Sequence, residues 1–190
     1  MQAVAEEARR VAILGVGNRL RGDDAVGCIV CDELCADTDS DSPPRHQDTK
    51  SGPESDASPG DLGGLGGCSL PDGVFVLDCG STPENYVQPI VDRKPTRILV
   101  VDCCDYGVKP GDFRLFSRDE IEQLSYGLLS THTLPLTLTI EMLSLQTGAT
   151  IELLGVQPER IEFGKDLSEP IQRALPAVVE FVRNWVKGEA

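Results

Sequence analysis

The chain has 190 residues, a formal net charge of −14 and a hydrophobic fraction of 40%. This length suits one domain with a sizeable core, and the strong negative charge disfavours nucleic acids and anionic membrane surfaces as partners. No apolar run reaches the roughly 18 residues that a membrane-spanning helix needs.

The first residues lack the order of a secretion signal, because acids and arginines precede a short apolar run that ends in glycine. We therefore expect a cytoplasmic protein. In that compartment the seven cysteines are expected to be mostly reduced thiols.

The first predicted element is a strand at residues 11–16, because the continuous apolar run VAILGV is typical of a strand buried on both faces. A helix carrying AVGCIVCDEL is predicted to begin at Asp23 or Asp24, where acids suit its positive end. The next segment, residues 37–72, is acidic and rich in Pro, Gly and Ser. It cannot bury enough apolar surface to offset its ordering entropy, so we predict a disordered insertion within one domain spanning residues 1–190.

Ordered structure is predicted to resume with the strand VFVLD at residues 74–78. A helix that starts in TPENYV has Pro83 in its first turn, and Pro89 is expected to kink or end it. The third strand, RILVVD at residues 97–102, is the clearest in the chain, and FRLFS is a shorter one.

The second half of the chain continues this alternation of helices and strands. Ser117 and Glu120 have the spacing of a capping box at the start of a short helix. A longer helix is predicted at residues 135–148, followed by a strand at residues 150–156. A last helix with one apolar face closes the chain, and Pro176 is expected to bend it. Alternating strands and helices with short links predict a three-layer α/β sandwich.

Acidic residues follow three of the predicted strands, at Asp24, Asp78 and Asp102. Ligand sites of open α/β sheets lie outside the carboxyl ends of the strands, so we expect these carboxylates to converge there. Together with His132 in the segment STHTLP they predict a metal site. Two carboxylates and one imidazole suit a divalent ion such as Ni, Zn, Mn or Fe, with positions left open for water or substrate. The other histidine, His46, lies in the insertion and is a poor candidate.

Other kinds of site fit the sequence less well. Leu20 occupies the position where a dinucleotide fingerprint needs a third glycine or a small residue, and the P-loop pattern is absent. A cysteine nucleophile activated by His132 stays open as an alternative, with Cys79, Cys103 and Cys104 beside the acidic strand ends. The neighbouring carboxylates are expected to raise the pKa of such a thiol, which disfavours the reactive thiolate.

Three further cysteines, Cys28, Cys31 and Cys35, share one face of the first predicted helix. A metal or cluster would need a fourth ligand, for which only Cys68 in the insertion is available. Packing as small buried hydrophobes is the favoured interpretation.

Five longer motifs resemble a known family across nearly the whole chain outside the insertion. The chain is similar to the endopeptidases that mature [NiFe] hydrogenases, especially those serving the large subunit of formate-hydrogenlyase-type hydrogenases. The motifs that carry the resemblance are GVGNRLRGDDAVG (15–27), DCGSTPEN (78–85), PTRILVVDCCDYGVKPGDFRL (95–115), STHTLPLTLTIEML (130–143) and GVQPERIEFG (155–164).

This resemblance implies a three-layer sandwich around a twisted, mostly parallel sheet of about five strands. It also implies that Asp24, Asp102 and His132 form the catalytic, metal-binding set. Family members remove a C-terminal extension from the hydrogenase large-subunit precursor after nickel insertion, and the precursor's nickel is the recognition signal. Other divalent ions are expected to substitute in vitro, and the protein is expected to be a monomer. Asp23 or Asp78 is expected to support the site by holding the attacking water or orienting a ligand.

The chain departs from the family pattern at two places. Cys79 stands where the second motif usually has glycine, so a positive φ there would strain the backbone, and the insertion is longer than expected. Two alternatives also stay open. One is a non-enzymatic escort that recognises nickel with the same residues and leaves the precursor full length. The other is a general metallopeptidase or amidase, against which the absence of H-E-x-x-H counts.

Overall fold

Five strands form one sheet, and helices cover both of its faces. The computed structural model describes residues 9–36, 70–124 and 133–189. Within these ranges the strands are β1 (Val11–Val16), β2 (Val74–Gly80), β3 (Arg97–Cys103), β4 (Phe113–Phe116) and β5 (Thr150–Val156). The α-helices are α1 (Val26–Ala36), α2 (Val87–Asp92), α3 (Arg118–Leu124), α4 (Thr133–Thr147) and α5 (Glu169–Lys187). Short 3-10 helices precede α1 and α2, at Gly22–Ala25 and Pro83–Tyr86.

The strand order is β2-β1-β3-β5-β4, and only the edge strand β4 runs antiparallel to its neighbour. The carboxyl ends of the other four strands therefore lie at one side of the sheet, which we call the carboxyl edge. This arrangement confirms the predicted mostly parallel sheet of five strands.

Alternate residues of the central strands pack into opposite layers, as the twofold period of a strand requires. Ile13 and Leu99 lie in one cluster with residues of α1 and α5. Leu14 and Val100 lie in the other cluster, with residues of α2 and α4. Helices on both faces of the sheet confirm the predicted three-layer sandwich.

Local sequence signals mark the start of α3 and the end of α4. The backbone N–H and the hydroxyl of Ser117 donate to Glu120 Oε2 at 2.9 and 3.0 Å, which confirms the capping box. Helix α4 ends just before Gly148, whose φ of 65° suits a helix C-terminus. The sequence predicted that Pro89 kinks or ends the helix. Pro89 does not end it, because α2 begins at Val87 and continues through Pro89 to Asp92. Pro89 lies in the first turn, where a missing N–H costs no helical hydrogen bond. Helix α5 is continuous through Pro176, and the bend there stays a prediction.

The predicted insertion at residues 37–72 lies outside the described residues up to residue 69. Its last residues are described, and Leu70 packs against the cluster formed with α1 and α5. The last three residues of the predicted insertion, 70–72, therefore belong to the described part of the chain. In the described ranges, no helix combines the length and the apolar character of a membrane span.

The far end of α5 is anchored to the sheet through Trp185. Its indole N–H donates to Glu152 Oε2 at 2.9 Å, and Arg97 approaches the same carboxylate at 3.3 Å. The Arg97 guanidinium also lies 3.9 Å from the centre of the Trp185 ring. Because the indole is 1% exposed, this contact combines apolar burial, a satisfied N–H and a cation–π interaction.

Helix α1 approaches the sheet so closely that no side chain fits at the contact. A Cβ atom on Gly27 would lie 2.3 Å from the carbonyl oxygens of both Val16 and Val101. A Cβ atom on Gly15 would lie 2.3 Å from the carbonyl oxygen of Gly27. The start of α1 is therefore held against β1 and β3 by backbone-to-backbone packing.

This packing predicts that Gly27→Ala destabilises the protein. In an exposed helix the same change is favourable by about 1 kcal/mol, whereas here it displaces α1 and should lower the free energy of unfolding by about 2 kcal/mol or more. Chemical denaturation of both proteins measures the difference. A variant more stable than the wild type would contradict the proposed contact.

Candidate active site

Two of the predicted site residues, Asp24 and Asp102, are buried at the carboxyl edge. Asp24 lies in the 3-10 helix that follows β1 and is 0% exposed. Asp102 is the penultimate residue of β3, the strand paired with β1, and is 1% exposed. Its Oδ1 accepts a hydrogen bond from the Cys103 N–H at 2.8 Å.

The turn after β1 folds Asp24 back over the end of the strand. The Asn18 N–H donates to the backbone carbonyl of Asp24 at 3.2 Å. At Gly17, φ is 146° and a Cβ atom would lie 1.8 Å from that carbonyl oxygen, so only glycine fits. With Gly27 wedged against β1 and β3, this turn holds the segment of Asp24 on the side of the sheet where Asp102 lies.

The thiol of Cys103 lies near three of the acids at this edge, Asp102, Asp24 and Asp23. Burial raises the pKa of Cys103, and the negative charges of Asp102, Asp24 and Asp23 raise it further. Several carboxylates therefore surround a thiol that stays protonated at neutral pH. A protonated, buried thiol is a poor nucleophile.

The other two candidate nucleophiles have the same property. Burial, followed by the charges of Asp102 and Asp105, raises the pKa of Cys104 to about 12. Burial also raises the pKa of Cys79, and the charge of Asp78 adds to the effect. These environments argue against the cysteine alternative that the sequence left open.

Asp23, the neighbour of Asp24, has its carboxylate occupied by hydrogen bonds from one distant loop. Its Oδ2 accepts from the N–H groups of Glu159 and Arg160 at 2.9 and 3.0 Å and from the Ser168 hydroxyl at 2.8 Å. Its Oδ1 accepts from the Ser168 N–H at 2.6 Å. These four bonds give Asp23, 0% exposed, a structural role: it ties the β5–α5 loop to the segment that carries Asp24.

Asp78 is engaged by an arginine that the sequence analysis missed. Arg19 donates to Asp78 Oδ2 at 2.6 Å and binds both carboxylate oxygens of Asp32 at 2.6 and 2.9 Å. Burial works to raise the pKa of Asp78, but hydrogen bonds from Arg19, the Cys28 thiol and the Gly80 N–H outweigh it and lower that pKa. Asp78 therefore joins β2 to the β1 turn and to α1. The only sequence signal for Arg19 was its place in the motif GVGNRLRGDD.

The glycine-to-cysteine departure at Cys79 causes no strain. The pairing of β1 with β2 shifts from Gly15 opposite Asp78 to Val16 opposite Gly80, so Cys79 is the extra residue of a bulge. The positive φ falls on Gly80, at 53°, and not on Cys79. The residue with positive φ is therefore Gly80, a position at which this sequence keeps glycine.

His132, the third predicted ligand, lies outside the described residues. Helix α4 begins one residue later, at Thr133. Helix α4 ends just before β5, and β5 begins at the edge opposite the carboxyl edge. The first turn of α4 is therefore expected at the carboxyl edge. Within residues 9–36, 70–124 and 133–189, no group of three His, Cys, Asp or Glu side chains is arranged to hold a metal ion. His46 is also outside those ranges.

The cysteines of α1 belong to the packing of the helix against the sheet. Cys28 and Cys31 are buried free thiols, and Cys31 lies in the core cluster with α5. Cys35 packs against that cluster and is disulfide-bonded. Among the described cysteines five are free and Cys35 is the exception, so the expectation that the thiols are mostly reduced stays a prediction.

The contacts of Asp23 predict a large loss of stability for Asp23→Asn. The Asn side chain has an NH₂ group in place of one carboxylate oxygen, and this group would face backbone N–H donors. At least one buried donor then loses its acceptor, which should lower the free energy of unfolding by about 2–4 kcal/mol. Denaturant titration measures this loss. The matched control is Asp166→Asn in the same loop, where the side chain is exposed and the change should stay within about 0.5 kcal/mol. Equal stability of the two variants would exclude the structural role of Asp23.

The raised thiol pKa values predict that the folded protein resists alkylation. With iodoacetamide near neutral pH, mass spectrometry should find the five buried free cysteines, Cys28, Cys31, Cys79, Cys103 and Cys104, largely unmodified. In denaturant all five should react. Rapid modification of Cys103 or Cys104 in the folded state would restore the cysteine-nucleophile alternative.

Comparisons with known proteins agree on one family. The family model HycI, hydrogenase maturation protease, matches residues 67–185. The hydrogenase 3 maturation protease of Escherichia coli K12 is 30% identical over 174 residues, covering 91% of this chain and 88% of the relative. A putative hydrogenase maturation protease of Methanocaldococcus jannaschii is 28% identical over 158 residues, covering 83% of this chain and 78% of the relative.

Solved structures agree with the sequence relatives. The crystal structure of the [NiFe] hydrogenase maturation protease HycI from Thermococcus kodakarensis matches with a TM-score of 0.67 and 28% identity, covering 94% of this chain and 92% of the other. The E. coli endopeptidase HybD shares the fold, with a TM-score of 0.69 at 21% identity and coverage of 95% and 94%. The chain therefore belongs to the family of hydrogenase maturation proteases.

Proposed function

We propose that this protein cleaves the C-terminal extension from the precursor of a [NiFe] hydrogenase large subunit after nickel has been inserted. Its membership of the hydrogenase maturation proteases supports a peptidase acting in hydrogenase assembly. The observation that carries the proposal is the buried pair of carboxylates, Asp24 and Asp102, at the carboxyl edge of the sheet.

The proposed ligand set toward the precursor's nickel is Asp24, Asp102 and His132. Carboxylate oxygens and an imidazole nitrogen are donors that divalent nickel accepts, and three donors leave positions for the precursor's own ligands. Burial of the two carboxylates supports this assignment, because charge attracts charge more strongly where the surroundings are less polar than water. Nickel is part of the substrate in this scheme, and other divalent ions are expected to occupy the same donors in vitro.

The chain's own residues position the reaction. Asp24 and Asp102 bind the precursor's nickel centre and thereby orient the adjacent peptide bond at the carboxyl edge. Bound nickel supplies a Lewis acid that polarises the peptide carbonyl or activates a water molecule. Asp23 keeps the Asp24 segment in place through its bonds to the β5–α5 loop. The protonated thiols of Cys79, Cys103 and Cys104 take no part as nucleophiles.

The assignment predicts that Asp24→Asn, Asp102→Asn and His132→Ala each slow processing strongly. Loss of an orienting partner of a metal ligand costs 10- to 100-fold, so loss of a ligand should slow processing by at least about 100-fold. Purified variants are incubated with nickel-loaded precursor, and the large subunit is weighed by mass spectrometry. Circular dichroism checks that each variant is folded.

The matched control is His46→Ala, which removes the other histidine of the sequence and should process like the wild type. Full processing by folded His132→Ala would overturn the ligand assignment. Binding of the precursor by the wild type without any shortening would favour the escort alternative. Turnover of short peptides with zinc alone would favour the general metallopeptidase.

The proposal also predicts that the nickel must be on the precursor. Precursor prepared without nickel should stay full length in the presence of the wild-type protein, and reconstitution of that precursor with nickel should restore cleavage. The same mass measurement follows both reactions. Complete cleavage of nickel-free precursor would show that nickel is not the recognition signal.

A further inference from the structure

Two loops at the carboxyl edge are joined into one surface element. The β1 turn and the β5–α5 loop are connected by the carboxylate of Asp23 and by the Gly164 N–H, which donates to the Leu20 carbonyl at 2.8 Å. The β5–α5 loop also wraps around Gly22, where a Cβ atom would lie 3.5 to 3.6 Å from the carbonyl oxygens of residues 160, 162 and 166. The backbones of these two loops are therefore held in a fixed relation to each other.

Each of these joined loops presents a large apolar side chain to water. Leu20 is 61% exposed and Phe163 is 76% exposed. The hydrogen bond from the Gly164 N–H to the Leu20 carbonyl joins the backbones of the two loops at Leu20 and at the residue after Phe163. Single exposed hydrophobic residues are ordinary on protein surfaces. Here two of them lie on loops whose backbones are joined to each other by the buried carboxylate of Asp23. We call this pair, Leu20 and Phe163, the docking lip.

The docking lip borders the candidate active site. Leu20 lies four residues before Asp24, and the loop of Phe163 is bonded to Asp23, the residue next to Asp24. Both side chains of the docking lip therefore lie on backbone segments that are bonded to, or continuous with, the segment of Asp24. A protein substrate offers apolar surface for such a contact, whereas a free metal ion or a small amide does not.

We propose that the docking lip binds an apolar surface of the large-subunit precursor next to the segment that is cut. This proposal rests on the proposed function for the identity of the partner. Its physical basis is the removal of two exposed apolar side chains from water when the complex forms. A few anchor residues near the centre of an interface supply most of the binding free energy in many complexes, and in this proposal Phe163 and Leu20 are two of them.

The matched control comes from an exposed leucine elsewhere in the molecule. Leu145 is 77% exposed, close to the value for Phe163, but it lies in the last turn of α4, just before β5 begins at the opposite edge of the sheet. Leu145→Ser therefore makes the same chemical change far from Asp24. All three side chains project into solvent, so their replacement by serine should leave the fold intact, as thermal unfolding would verify.

The test measures precursor binding and processing separately. Leu20→Ser and Phe163→Ser should each weaken binding of nickel-loaded precursor about tenfold, and the double variant about 30- to 100-fold. In processing assays the loss should appear in KM, with kcat unchanged at saturating precursor. Leu145→Ser should match the wild type in both assays.

The proposal is overturned if the double variant binds precursor as tightly as the wild type, or if Leu145→Ser weakens binding equally. It is also overturned if the wild type dimerises through these side chains, with the double variant monomeric and its KM unchanged. Failure of the proposed function has a different signature. Wild-type protein would then bind precursor without shortening it, and the binding arm would still decide the role of the lip.

Discussion

The architecture of the site depends on the buried carboxylate of Asp23. Its four hydrogen bonds all come from the loop between β5 and α5, which is 136 to 145 residues away along the chain. A buried charge is costly unless hydrogen bonds or opposite charges compensate it, so these donors and this acid require one another. Through them the last third of the chain determines where the turn after β1 lies, and with it the position of Asp24.

The neighbouring acids Asp23 and Asp24 thus have different roles, a structural one for Asp23 and a proposed ligand role for Asp24. The carboxylate of Asp23 is saturated by backbone N–H groups and a hydroxyl, which suits a structural role. Asp24 is buried next to Asp23 in the same 3-10 helix, and the four hydrogen bonds from the β5–α5 loop go to the carboxylate of Asp23. Close backbone packing at Gly17 and Gly27 completes this arrangement, because side chains at either position would push the turn away from the ends of β1 and β3.

The sequence predicted those features that depend on neighbouring residues. The β-branched runs of β1 and β3, the Ser117–Glu120 capping box and the glycine that ends α4 all specify structure within a few positions. Contacts between distant segments left no such signal. The bonds from Ser168 to Asp23 and from Arg19 to Asp78 span 145 and 59 residues, and each depends on how the sheet is assembled. The candidate ligands were named from acids at the ends of predicted strands, which converge in a parallel sheet, and from the family resemblance. The different roles of Asp23, Asp24 and Asp78 became visible only in the three-dimensional contacts.

Helix α5 is fastened at both ends. Ser168, just before its first residue, bonds to Asp23, and Trp185 near its last turn bonds to Glu152. The loop that carries Phe163 therefore connects β5 to a helix that is bonded at both ends, and its own backbone N–H groups bond to Asp23 in between. Surface loops generally tolerate insertions and deletions well. In this loop, one residue more or fewer between Arg160 and Ser168 would move the N–H donors away from the carboxylate of Asp23. Relatives that vary in this connection are expected to do so by exchanging side chains rather than by changing the number of residues.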